Sequence, residues 1–477
     1  MSEPGSRSPH HRPRRDPLLK VLRARQPQST EEIVQGSQSS GNGASAAGRV
    51  HLGEIVRQGP LGWLKLLGPG LITGASDDDP SGIGTYSQVG SQFGYGLLWT
   101  ALFTFPLMSA VQELCARIAL QTGVGLGVAL RRKFPTALVG VCVFALMIAN
   151  TINVGADLGA IGAGGQLLTR GTVSHVWLVV PAGLLVIVLE FFLPYATLFR
   201  IFKWLTLVLF AYVATAFIVH PDLRTVVVAT FAPHLELKKE FIAALVAVLG
   251  TTISPYLFFW QASSEIDQMR ASGQVTENER RGVGLQELRA ARADILIGMF
   301  FSNLVMYFII LVSAAVLHAH GKTDVQTADQ AAAALAPIAG PFAFILFAVG
   351  LIGTGLLAIP ILSASAAYAL KEFLGLPGTL AASPRRRPTF YAIIAGAVLA
   401  GIGLNFLHID PLRALFLTAV INGVVAPPLL VLIVLLGSAR KFMKDRVSGP
   451  VSKVLTWAAT ALMTLASAAL LVTTFLR

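Results

Sequence analysis

Charge is what this 477-residue chain has least of. Only 13% of its residues are Asp, Glu, Lys or Arg, against about 25% in a soluble globular protein. That shortage excludes an ordinary water-soluble domain. Cysteine is nearly absent. Cys115 and Cys142 both sit in hydrophobic runs, so neither a disulfide framework nor a cysteine metal centre is available, and both read as small packing residues. The glycine clusters GVGLG at 123–127 and GIGTY at 82–86 lie in or beside hydrophobic runs. They lack the strand–turn–helix setting of a nucleotide loop, no Walker motif occurs, and an ATP-driven pump is excluded. The alternating ten-residue pattern of a membrane β-barrel is missing as well.

What the chain has is long apolar stretches. LVGVCVFALMIANTINVGA and WLVVPAGLLVIVLEFFL are long enough to cross a hydrocarbon core, which takes roughly 20 apolar residues as a helix. Length predicts about eleven spans, starting near Leu61, Leu97, Ala137, Val176, Trp204, Phe241, Ile295, Pro341, Tyr391, Ala414 and Val454. The fold class is therefore an all-α polytopic membrane protein. Residues 1–55, rich in Arg, Ser, Pro, Gly and Gln, are expected to form a disordered basic cytoplasmic tail, and 56–477 the transmembrane domain. Arg131–Lys133, Arg200, Lys203, Arg280, Arg281, Arg289, Arg385–Arg387 and Arg440–Arg446 follow even-numbered spans. The formal charge of +12 is thus read as topology rather than nucleic-acid binding. The positive-inside rule puts these loops and the N-terminus in the cytoplasm and, after eleven spans, the C-terminus outside. An Ala- and Arg-rich composition suggests the bacterial plasma (inner) membrane, with a monomer expected.

Two spans are interrupted. DDDPSG breaks the first and TTISPY, 251–256, breaks the sixth. Proline removes a backbone donor and clashes with the preceding turn. Freed carbonyls survive at membrane depth only where protein or a water-filled cavity satisfies them. A matching pair of broken spans in the two halves of a chain points to a transporter built from inverted repeats. The repeats are expected at 61–220 and 240–437, with an extra helix at 452–476. Facing breaks bring carbonyls, hydroxyls and a carboxylate around a small space, which suits a cation. An ionisable residue inside a span is a functional candidate, although a proline kink with Asp as a helix cap is the plainer alternative.

GPGLITGASDDDPSG followed by SQFGYGLLW, together with GADLGAIG and AAVLHAHG, resembles the Nramp family (natural resistance-associated macrophage proteins) over nearly all of the chain after the tail. The resemblance implies divalent-metal transport by alternating access, with discontinuous first and sixth helices. Asp79 and Pro80 keep the Asp-Pro pair of that family, and Asp157 is retained. Gly82 stands where the family has Asn, Ser254 where it has Met, Tyr256 where it has His, and Ala160 where it has an acidic residue tied to proton movement.

By this resemblance Asp79 is the metal ligand, directly or through water. Ser76 and Thr251 contribute carbonyls, and Ser254 contributes a hydroxyl or room for water. Asp77 and Asp78 raise the negative potential or cap the second half-helix. Losing a soft thioether favours hard ions, and Mg²⁺ keeps several waters. The departures therefore look like the Nramp-related magnesium branch, carrying Mg²⁺ (and Mn²⁺) without proton coupling; the alternative is a conventional proton-coupled Mn²⁺/Fe²⁺ importer. No cofactor, no catalytic activity and no nucleic-acid partner are expected, only the metal substrate and the bilayer.

Other polar residues carry open alternatives. Glu265 and Asp267 line a vestibule or form an ordinary solvated helix end. Glu113 and Asp157 form an exit route, or Glu113 pairs with Arg117. Asn422 reaches the site or bonds a neighbouring helix. An intramembrane aspartyl protease lacks its Gly-x-Gly-Asp signature, and a sodium-coupled amino-acid transporter would place three acids beside a substrate carboxylate.

Overall fold

The computed structural model describes residues 68–475 apart from 194–196, 198–203, 205–206 and 408. The expected tail, the approach to the first span, Arg200 and Lys203 lie outside the described residues.

The first pass has two halves, α1 (Pro69–Asp77) and α2 (Pro80–Phe93). The chain then turns by 106° into α3 (Trp99–Thr122), which begins a second pass rather than extending the first. α4 (Thr136–Leu168) and α5 (His175–Phe192) are continuous, and α6 (Phe210–Val219) is the described part of the fifth pass. The sixth is again split, into α7 (Lys239–Thr252) and α8 (Pro255–Ala271). α9 (Leu285–Val316), α10 (Ala343–Leu374), α11 (Pro388–Leu404), α12 (Pro411–Gly437) and α13 (Pro450–Phe475) follow, giving eleven passes among the described residues when the short α1–α2 and α6 are counted. α9 starts ten residues before the expected Ile295. Its first turns, LQELRAARAD, are strong helix formers without being apolar, so hydropathy marked only where the lipid-facing part begins.

Both breaks obey one local rule: a cap residue, then proline at the first helical position, where its missing N–H is no loss. Asp78 and Asp79 (φ −82°, ψ 51°; φ −71°, ψ 169°) are matched by Ile253 and Ser254 (φ −111°, ψ 56°; φ −71°, ψ 126°). Each pair stops one helix and starts the next. Two apolar clusters flank the breaks. One includes Tyr86, Val111, Leu249, Met306 and Leu430; the other includes Leu158, Tyr256, Trp260, Ile361 and Val398. Trp177, Phe192, Phe217 and Phe300 are exposed, as expected of side chains facing lipid.

The arginine-rich connections meet on one face. Arg132 Nη1 and Nη2 donate to Glu277 Oε1 and Oε2 at 2.7 and 2.9 Å, and this guanidinium holds the Glu277 carboxyl below its ordinary range. Arg446 Nε donates to the Val283 carbonyl at 3.1 Å, and Gly127 N–H donates to Glu372 at 2.8 Å. The connections after the second, sixth and tenth passes thus touch one another. At the opposite end Trp99 Nε1 reaches the His234 carbonyl at 3.2 Å, and His318 Nδ1 lies 2.7 Å from the Ser91 carbonyl.

α1 is held to α9 by backbone proximity. Gly70 and Gly74, spaced four apart, face Gly298 and Ile295, and a methyl on Gly74 or Gly298 would overlap the other helix's backbone. Small residues at this spacing let helices approach where no hydrophobic drive exists in lipid. Gly298→Ala is expected to cost about 1–3 kcal/mol as overpacking, visible as a lower melting midpoint in detergent. Gly396→Ala, where a methyl meets nothing within 4 Å, leaves that midpoint unchanged or higher; equal midpoints for the two variants would contradict this packing.

Candidate metal site at the helix breaks

Asp79 is placed by the start of α2. As its N-cap, it accepts the Gly82 N–H at 2.8 Å and the Ser81 hydroxyl at 2.5 Å, both on Oδ1. That is the capping geometry of any buried helix start. It leaves Oδ2 facing inward, toward Asn153 Nδ2 at 3.2 Å and the Tyr256 hydroxyl at 3.5 Å. Asp79 is 2% exposed, so this oxygen is withdrawn from solvent yet only loosely satisfied.

The two breaks are tied across the site by phenols. Tyr256, from α8, donates to the Ser76 carbonyl of α1 at 2.9 Å. Thr251, from α7, donates to the Tyr86 hydroxyl of α2 at 3.0 Å. Ser254 turns back onto the carbonyls of Gly250 and Thr251 at 3.0 and 2.5 Å. The Ser76 and Thr251 carbonyls therefore already hold one hydroxyl each, with a second lone pair left on each oxygen. Space that sequence reading gave to water is lined by the buried rings of Tyr86 and Tyr256.

Asp77 and Asp78 converge on a different group. Ser302 of α9 lies 2.7 Å from Asp77 Oδ2 and 3.3 Å from Asp78 Oδ1. Asp77 Oδ1 is buried without a partner among the described residues. Asp157 lies one turn beyond Asn153 on α4, hence on the same face. It is fully buried, and neither carboxylate oxygen has a hydrogen bond among the described residues. Gly82 has no side chain to offer; a methyl there would press on the Tyr86 ring. No group of three His, Cys, Asp or Glu among the described residues is arranged to hold a metal by itself. A cation here would need carbonyls, hydroxyls or water beside Asp79.

The structure bears on three other candidates whose readings were open. Glu265 is not a solvated helix end. It is 4% exposed and accepts Gln261 Nε2 at 2.9 Å, while Thr73 of α1 donates to Gln261 Oε1 at 2.5 Å. Asn422 is buried, and neither side-chain polar atom bonds a neighbouring helix among the described residues. Glu113 is bound by Arg117 Nη2 and Nε and by Ser452, a structural cluster rather than a path shared with Asp157. Sequence reading missed Asn153, Ser302, Gln261 and the role of Asp294. Asp294 of α9 accepts the Gly70 N–H at 2.7 Å and the Leu71 N–H at 3.3 Å. It caps α1 from another helix, a contact across more than two hundred residues that no local pattern announces.

A polytopic bundle with two facing broken helices and buried carboxylates between them defines the class: a membrane transporter, not an enzyme. The family profile of natural resistance-associated macrophage protein-like proteins matches residues 70–473, and the chain belongs to that family. It is 29% identical over 337 residues to a divalent metal cation transporter MntH of Xanthomonas campestris, covering 68% of this chain and 73% of that one. It is 25% identical over 420 residues to the MntH of Bacillus subtilis, covering 88% and 94%. A crystal structure of the Eremococcus coleocola manganese transporter superposes with a TM-score of 0.63 at 19% identity, covering 86% of this chain and 87% of that one; it has the same fold.

These relatives overturn two expectations. The chain does not group with the magnesium branch, and transport of Mg²⁺ without proton movement is not what the family match supports. The physical reason lies in the donors. Carboxylate, carbonyl and water suit Mn²⁺ as well as Mg²⁺, so losing a thioether at Ser254 does not select between them.

The Asp294 cap is testable. Asp294→Ala removes two bonds to a carboxylate, and a lost cap costs roughly 0.5–2 kcal/mol. α1 should open more often, so a maleimide should label Leu71→Cys several-fold faster in that background. An unchanged labelling rate would show that Asp294 does not hold α1.

Proposed function

We propose that this protein carries Mn²⁺, and Fe²⁺ as second choice, across a bacterial inner membrane by alternating access, with protons moving alongside. One observation carries the reading: Asp79 Oδ2, at the meeting point of both helix breaks, is buried and held only by an amide at 3.2 Å and a phenol at 3.5 Å. A divalent ion there would take Asp79 as its charged ligand, with the Ser76 and Thr251 carbonyls and the Ser254 hydroxyl as neutral oxygen donors. Tyr256 would give up its bond to Ser76 as metal enters. The names of the relatives support a divalent-metal cargo, and the manganese transporter of the same fold favours Mn²⁺ within that class.

Coupling to protons follows from electrostatics. Asp77, Asp78, Asp79 and Asp157 are all buried, and like charges cannot all persist in a desolvated site without a counter-ion. A proton and a metal ion are then exclusive partners of the same carboxylates. Asp157 is the natural proton carrier: it lies one turn from the Asp79 contact and makes no competing hydrogen bond among the described residues. Ala160 removes one acid that the wider family uses, while Asp77 and Asp78 add two. The face where the arginine-rich connections meet is assigned to the cytoplasm.

Proteoliposomes under a negative-inside potential test this. Mn²⁺ should enter with acidification of the lumen, and Asp79→Ala should abolish entry at normal expression. Asp157→Asn should leave measurable Mn²⁺ entry with little acidification. Entry of Mn²⁺ at constant lumenal pH in the unaltered protein would overturn the coupling. Full uptake by Asp79→Ala would overturn the site.

A further inference from the structure

A cavity of about 310 Å³ lies away from the helix breaks, between α3, the first turns of α9 and the segment leading into α13. It is lined by Glu113, Arg117, Leu285, Leu288, Arg289, Arg292, Asp445, Arg446, Val447 and Gly449. Four guanidinium groups against two carboxylates leave an excess of positive charge. Two of the four are engaged. Arg117 binds Glu113 and the Val447 carbonyl, and Arg446 binds the Val283 carbonyl. Arg289 and Arg292 are exposed and make no hydrogen bond or ion pair with any described residue.

Helix geometry says what these two face. Leu285, Leu288, Arg289 and Arg292 fall at i, i+3, i+4 and i+7, one stripe of α9. The same stripe continues through Leu296 and Phe300, which are 38% and 50% exposed. Two unpaired cations thus precede a lipid-facing apolar strip by one and two turns. The opposite wall ends at Gly449, where α13, 26 residues long, begins; the positive end of its dipole adds to the attraction for an anion. Between the lining residues Val447 and Gly449, the Ser448 hydroxyl is buried with no partner among the described residues.

We propose that this cavity binds the phosphate headgroup of an anionic phospholipid, with its acyl chains lying along Leu296 and Phe300. Basic cavities between membrane helices suit such headgroups, and the volume is at the lower end of small-molecule sites, about 300–1,000 Å³. Arg289 and Arg292 take the phosphate, and Leu285 and Leu288 take the glycerol region. The lipid bridges α9, which carries Asp294 and Ser302, to α3 and α13. A free phosphate would share the arginines but gain nothing from the strip.

Native mass spectrometry of the full chain, with phosphatidylglycerol and phosphatidylcholine offered in equal amounts, reads this directly. The unaltered protein should retain phosphatidylglycerol preferentially. Arg289→Gln with Arg292→Gln should weaken that retention by on the order of tenfold. Arg385→Gln with Arg386→Gln, an equal charge loss on another exposed connection, should leave it unchanged, and millimolar inorganic phosphate should not displace the lipid. Equal retention of the two lipids, equal loss in both double variants, or displacement by phosphate alone would each overturn the proposal.

Discussion

Everything in this molecule depends on keeping broken backbone satisfied inside a membrane. A continuous helix bonds its own N–H and C=O groups; a helix stopped halfway exposes up to four of each, and lipid offers no replacement partners. Here the replacements are specific side chains. Asp79 caps α2, Tyr256 covers the Ser76 carbonyl, Ser254 covers the Thr251 carbonyl, and Asp294 caps the far end of α1. At the breaks, Asp79, Ser254 and the covered Ser76 and Thr251 carbonyls are also the groups proposed to hold a cation. On the proposed reading, metal would compete with protein for these atoms.

That competition gives a physical picture of alternating access. The half-helix α1 is short, nine residues, and is held by discrete contacts: the glycine seam with Gly298, the Asp294 cap, the Thr73–Gln261 bond and the Tyr256 tie. A short element held by few exchangeable bonds belongs to the less stable part of a fold, where functional motion is found. On the proposed reading, a metal that drew Tyr256 away from Ser76 would remove one of these restraints and so couple occupancy of the site to the position of α1.

Much of this was legible in the sequence, for reasons that concern local physics. Span lengths are set by bilayer thickness, so the starts of α3, α4, α5, α7, α10, α11, α12 and α13 fall within four residues of those read from apolar run length, α9 being the exception. The breaks were legible because proline acts on its own turn, and Asp79 because an acid inside a span is conspicuous. What stayed hidden depends on tertiary contact. Asn153, Ser302, Gln261 and Asp294 are ordinary residues until α4, α8 and α9 bring them to α1 and α2 from tens to hundreds of residues away. Glu265 looked solvated because it nears a helix end, yet Gln261 and the flank of α1 enclose it. The preference for Mg²⁺ failed because ligand chemistry was inferred from the loss of a thioether at Ser254, whereas hard oxygen donors serve Mn²⁺ equally.

The central claim is that a divalent cation is held between the two breaks with Asp79 as its charged ligand. Anomalous scattering from crystals grown with Mn²⁺ tests it most directly. The strongest peak should lie about 2.0–2.6 Å from Asp79 Oδ2, the span of divalent-cation–oxygen bonds, with the Ser76 or Thr251 carbonyl as a further neighbour. A peak elsewhere in the bundle, with Asp79 bound only to Gly82, Ser81 and Asn153, would contradict it.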